Sequence, residues 1–140
     1  MRTREDIESY LMRSNLSFQS IREHEDNDDG EDIWLVRDSS SGENIIISLS
    51  GSLVLFRVKV LELDTVEDKL PLYAKLLELN ASDMVHGSYG LSGDAVVLTA
   101  GMILETLDYN EFQGTVDDLT MALTNHYEML SSLTQSGEAA

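Results

Sequence analysis

The last lysine or arginine of this 140-residue chain is Lys75, and residues 76–140 carry ten carboxylates with no fixed positive charge. Over the whole chain, 26 acidic side chains face nine basic ones, giving a formal net charge of -17 and a pI near 4.2. Such a surface repels phosphate backbones and anionic lipid and attracts basic protein segments, so nucleic-acid partners are not expected. Cysteine is absent. That excludes disulfides and thiolate metal sites and fits a reducing compartment. No apolar run approaches the ~20 residues of a membrane span. The polar start Met1-Arg2-Thr3-Arg4-Glu5-Asp6 lacks the apolar core of a signal peptide. These absences point to a cytoplasmic protein.

The apolar content, at 42% hydrophobic and 6% aromatic, is enough for a folded core despite the charge. The length suits one domain, expected over residues 1–133, with 134–140 as a frayed tail. Thr3 with Asp6 resembles a capping box, and Ile7, Tyr10 and Leu11 follow at helical spacing, so a helix is expected from about Arg4 to Ser14. Ser17–Glu23 reads as a weak edge strand and Ile33–Arg37 as a second strand, with the acidic run Glu25–Asp32 as a solvated loop between them.

The strongest strand signal spans Asn44–Leu63. Ser50-Gly51 suits a tight hairpin turn, which pairs Leu49 with Ser52 and Ile47 with Val54. Ile45, Ile47, Val54, Phe56, Val58 and Val60 then share the core face, and Ile46, Leu53, Leu55, Arg57 and Lys59 share the opposite one. Pro71 fits the first turn of a second helix carrying Leu72, Tyr73, Leu76, Leu77 and Leu79. Val85–Leu91 and Ala95–Leu98 form a strand pair around Ser92-Gly93-Asp94, and Met102–Leu107 is a short extended stretch. Thr115 with Asp118 suggests a cap for a final helix whose stripe is Leu119, Ala122, Leu123, His126, Leu130 and Leu133. Helices interrupting an antiparallel sheet give an α+β fold with the helices packed on one face.

Candidate chemistry is sparse. Aligning Gly30 with the sixth position of a calcium loop puts Val36 where a bidentate Glu is needed, so a metal site is not expected there. Gly90-Leu91-Ser92-Gly93-Asp94 ends in Asp where a nucleophile elbow has Gly, and turn chemistry explains it better. The glycines at 87, 90 and 93 do not match the dinucleotide fingerprint. His24, His86 and His126 fall on different elements without ligand spacing, and His126 lies on or beside an apolar stripe, where a satisfied core or interface histidine is expected. Trp34 and Phe56 are expected in the core rather than stacked on a ligand. No nucleophile–base pair can be placed, so the expectation is a non-enzymatic protein with no catalytic residue, no metal and no cofactor.

Particular strings add to this reading. Leu76-Leu77-Glu78-Leu79-Asn80 ends a helix, and Gly87-Ser88-Tyr89-Gly90-Leu91 and Gly93-Asp94-Ala95-Val96-Val97-Leu98 follow, then Leu107-Asp108 and a long final helix. The order and the strings resemble the YbjN domain and the class I chaperones of type III secretion, typified by the Tir chaperone family. That resemblance implies a small acidic α+β protein, commonly a homodimer. It implies either a chaperone that holds an unfolded partner segment on apolar sheet patches, or a regulatory adaptor.

The residues and the resemblance together predict a protein-binding module. Its partner-binding face is Ile46, Leu53 and Leu55, extended by Arg57 and Lys59, the one place where the acidic chain presents positive charge. The alternative is a regulatory domain sensing a small ligand between sheet and helices. Leftover apolar surface at Ile46, Leu53 and Leu55, with Met121 and Met129 on the last helix, predicts a homodimer.

Overall fold

The computed structural model describes residues 3–14, 16–22, 32–37 and 44–133. Helix α1 (Arg4–Arg13) is followed by strands β1 (Ser17–Arg22), β2 (Asp32–Arg37), β3 (Asn44–Ser50) and β4 (Leu53–Glu62). Helix α2 (Lys69–Ser82), strands β5 (Ser88–Ser92) and β6 (Ala95–Ile103), and helix α3 (Tyr109–Ser131) complete the order. Short 3₁₀ turns at Leu63–Thr65 and Leu104–Thr106 lead into the regions of α2 and α3. Glu25–Glu31, which includes nearly all of the acidic loop considered for calcium, and His24 lie outside the described residues, as does 134–140.

The six strands form one antiparallel sheet in the order β1-β2-β3-β4-β6-β5. Period-two alternation dictates its two faces. Trp34, Val36, Ile45, Ile47, Val54, Phe56, Val58, Val96 and Leu98 are all completely buried. Against them pack Ile7 and Leu11 of α1, Leu72, Leu76 and Leu79 of α2, and Phe112, Val116 and Leu119 of α3. All three helices therefore cover one face. Phe112 sits at the junction, with its ring 5.6 Å from Phe56 and 5.5 Å from Tyr10. Trp34 is a core residue whose indole N–H donates to Glu8 at 3.1 Å, tying β2 to α1. The Thr3 backbone N–H donates to the Asp6 carboxylate at 2.7 Å, the reciprocal half of the expected capping box.

Four local expectations are corrected. The β3–β4 pairing is Leu49 with Val54 and Ile47 with Phe56, so the turn is Gly51-Ser52, one residue later than expected. Gly51 has φ +59, the left-handed conformation a tight hairpin requires, and the turn forms around it. Because the partner of each residue moves by two positions, side-chain parity survives and both faces keep their expected members. Second, β6 runs on to Ile103, and the stretch beyond it is a 3₁₀ turn; the long partner β4 supplies a ladder that local propensity did not reveal. Similarly, β5 begins at Ser88 rather than Val85.

Third, α3 starts six residues before Thr115. Its cap is Asp108, whose carboxylate accepts the Glu111 N–H at 2.7 Å. Thr115 is buried inside the helix, and its hydroxyl donates back to the Glu111 carbonyl at 2.8 Å. Fourth, Met129 is not leftover surface: it packs, partly buried, against the core, whereas Met121 is 61% exposed.

Candidate partner-binding face

The sheet face away from the helices is open. Ile46, Leu53 and Leu55 are 39%, 46% and 41% exposed on it. The same parity brings in residues the sequence reading did not assign to a site. Ile21 and Ile33 pair across β1 and β2, Leu35 pairs with Ile46 across β2 and β3, and Leu53 pairs with Ile103 across β4 and β6. Ser48 opposite Leu55 and Gly101 beyond it are small, so the apolar side chains form one band across five strands. With strands about 4.8 Å apart, four gaps give a band roughly 19 Å long. The missed signal was simple: Ile33 and Leu35 alternate with Trp34 and Val36, so burying the latter pair exposes the former.

A cationic zone borders one side of this band. Arg57 lies beside Ile46 in the register, and its guanidinium donates to Ser92 Oγ at 2.6 Å. Lys59 forms an ion pair with Glu62. A β-bulge between Lys59 and Leu61 turns Leu61 toward the core side, opposite the buried Val96, and leaves Glu62 on the open face. Arg37, exposed at the end of β2, follows Leu35 on the same face. Three of the chain's nine basic residues thus share a face on which Glu62 is the one carboxylate among the described strand residues.

The other polar clusters are structural. His126 is buried, with Nδ1 2.7 Å from the Tyr89 hydroxyl and Nε2 3.0 Å from Asp83. In the consistent assignment, Nε2–H donates to Asp83 and Nδ1 accepts from Tyr89. Burial, ahead of the charges of Asp83 and Asp118, pushes the Tyr89 phenol above its ordinary range. The hydrogen bond from His126, followed by that from Ser82, lowers the Asp83 carboxyl. His126 thus joins the end of α2 to β5 and α3, which is the satisfied core role its stripe position implies. His86 is exposed in the loop before β5, held there through its backbone N–H, which donates to Asp118 at 2.8 Å. Gly90–Asp94 is the β5–β6 hairpin, with Gly93 at φ +60 in its turn. Among the described residues, no three potential metal ligands converge. A surface cleft of about 330 Å³ is lined by Tyr10, Arg13, Asp108, Tyr109 and Asn110. It lies between α1 and the start of α3, not between sheet and helices.

The class this arrangement defines is an α+β protein with one sheet face covered by helices and an apolar band on the other. Residues 1–136 match the CesT_Tir_1 family, and the chain belongs to that family. Among solved structures, the fold is similar to YbjN from E. coli, a candidate transcription regulator, with 16% identity, 89% of this chain and 91% of that one covered, and a TM-score of 0.58. It is also similar to the ExsC–ExsE complex, with 13% identity, 96% and 98% coverage, and a TM-score of 0.50. At these identities the likeness is one of fold. No curated protein matches.

Proposed function

We propose that this protein is a non-enzymatic chaperone or adaptor of the cytoplasm that captures a segment of a partner protein on the open face of its sheet. The observation that carries the reading is the apolar band of Ile21, Ile33, Leu35, Ile46, Leu53, Leu55 and Ile103 on a face the protein's own helices leave uncovered. An exposed patch of this kind marks an interaction surface in a folded protein. Family membership and the fold it shares with the ExsC–ExsE complex support protein binding over catalysis. Each anchor fully buried by a partner contributes ~1.5–3 kcal/mol before ordering costs, so two or three supply a useful affinity.

The reading includes a homodimer, through α2 instead of the sheet. Leu70 and Leu77, two helical turns apart, are 74% and 69% exposed, with Ala74 exposed between them. The opposite side of α2 buries Leu72, Leu76 and Leu79. A helix apolar on both sides is covered in the working assembly. Its described charges are Lys69, Lys75 and Glu78, so it is a place where two strongly acidic copies meet with little repulsion.

Leu55→Asp tests the capture face. The variant is expected to keep the wild-type circular dichroism spectrum and to lose partner binding by about tenfold or more. Wild-type binding by a folded Leu55→Asp variant would move the site off the sheet. An unfolded variant would show that Leu55 supports the fold; Ile46→Asp, on the neighbouring strand, then carries the same test.

A further inference from the structure

The molecule's net charge and the charge of its open sheet face have opposite signs, and at contact range the face decides. We infer that the segment captured there is anionic: its apolar anchors are flanked on one side by carboxylates. This deepens the capture reading above and rests on it. Arg37, Arg57 and Lys59 share the face with the apolar band, while 26 carboxylates are distributed through the chain and Glu62 alone among the described strand residues stands on that face. Screening at physiological salt limits unshielded interaction to about 8 Å, so acidic residues on the helical side reach a docked segment weakly. A segment lying on the band meets Arg57 beside Ile46 and Arg37 two residues beyond Leu35.

The order of side chains across the strands sharpens the chemistry. One register row reads Ile21, Ile33, Ser48, Leu55, Gly101. The next reads Gln19, Leu35, Ile46, Arg57, Thr99. Beyond it lie Arg37 and Asn44, paired across β2 and β3, and Lys59 opposite Val97. Polarity therefore changes from apolar to cationic across the band, so the complementary partner is amphipathic, with carboxylates along one flank only. Arg57 and Lys59 hold their positions through Ser92 and Glu62, so their positive ends are placed in advance. A basic segment, which the overall charge would favour, would bring like charges together at that flank, and this costs specificity and on-rate.

The test is a selection of random peptides of about twelve residues, enough to cross a ~19 Å band as a helix, displayed on phage and panned on the purified protein. Each pool is then re-tested against Leu55→Asp and against the triple variant Arg37→Glu, Arg57→Glu, Lys59→Glu. The expected result is that peptides sensitive to Leu55→Asp are enriched in Asp and Glu next to apolar residues. They should bind the triple variant about tenfold more weakly or worse, and the triple variant should select basic peptides instead. Peptides sensitive to Leu55→Asp but neutral or basic, or indifferent to the triple variant, would overturn the charge assignment and leave the capture face standing. A selection whose binders all ignore Leu55→Asp and Ile46→Asp would overturn both. Two controls address other occupants. Light scattering that finds the wild-type oligomer broken by Leu55→Asp would assign the face to a second copy of this chain. Sedimentation with phosphatidylserine vesicles that is lost in the triple variant would assign it to a membrane. Either outcome overturns the peptide proposal.

Discussion

One carboxylate oxygen of Asp118 accepts three consecutive backbone N–H groups, from Val85, His86 and Gly87, at 3.3, 2.8 and 3.1 Å. The loop before β5 is thereby fastened to α3. Asp118→Ala leaves those donors to water or unpaired and is expected to destabilise the protein by about 1–3 kcal/mol, read from the urea midpoint. Gly87 belongs to the same fastening. A Cβ there would sit 2.8 Å from a Leu119 methyl and 3.0 Å from the Thr99 carbonyl oxygen. The leucine can turn aside but the backbone cannot, so Gly87→Ala is expected to cost about 1–3 kcal/mol by overpacking. The nearby histidine cluster sets pH behaviour. Asp83 is held below its ordinary 3.8 by His126 first, so unfolding takes up a proton in acid; its contribution is complete above pH 3.8 and is lost as the pH falls further. Tyr89 is held above its ordinary 10.0 by burial first, so the unfolded phenol ionises before the folded one; its contribution is complete below pH 10.0 and is lost as the pH rises beyond it. Urea midpoints measured across pH should therefore fall at both ends. Asp83→Asn should flatten the acid limb and Tyr89→Phe the alkaline limb. Unchanged limbs in these variants would remove the cluster from the account.

At the scale of elements, the two outer strands are finished differently. On β5, the Asn80 side chain plays the part of a neighbouring strand: its amide donates to the Tyr89 carbonyl at 3.1 Å, and its oxygen accepts the Tyr89 N–H at 2.7 Å. The last turn of α2 thus closes an edge that would otherwise present backbone groups to other chains. Asn80→Ala should cost about 1–3 kcal/mol and raise the tendency to aggregate, measured by light scattering on heating. At the other edge, Arg4 reaches from α1 to Asp32 at 3.2 Å and to Ser20 at 3.3 Å, anchoring the helix over β1 and β2. Its guanidinium lies 5.8 Å from the Trp34 ring, over the same corner of the core.

For the whole molecule, the arrangement of charge matters more than its sum. The helices and loops carry most of the acid, the open sheet face carries three cations, and α2 carries one carboxylate. These are the two surfaces proposed to meet other chains. The expected mass in solution is twice 15.6 kDa. Leu77→Asp should shift it to the monomer, while Leu55→Asp should leave it unchanged. A wild-type monomer at high concentration in light scattering would exclude the α2 dimer, and a dimer broken only by Leu55→Asp would place it on the sheet.

The sequence determined the fold class and both faces of the sheet, because strand alternation has a period of two and a turn misplaced by one residue shifted partners by two, leaving parity untouched. It also determined the family, through an element order and the Leu76–Asn80 string that local spacing alone would not have assigned. Thr3 with Asp6 marks the start of α1, but the same pattern at Thr115 and Asp118 misled: Asp118 is occupied by a loop 31 residues or more away in the chain, and the working cap of α3 is Asp108, a site as local as Thr3. Tertiary structure alone decided that Asn80 closes β5, that His126 is shared between Asp83 and Tyr89, and that Ile21, Ile33, Leu35 and Ile103 join Ile46, Leu53 and Leu55 in one band. Each of these depends on which strands become neighbours. The β5–β6 hairpin is local, but the pairing of β4 with β6 is set by packing between distant segments and is encoded by no local pattern in the chain.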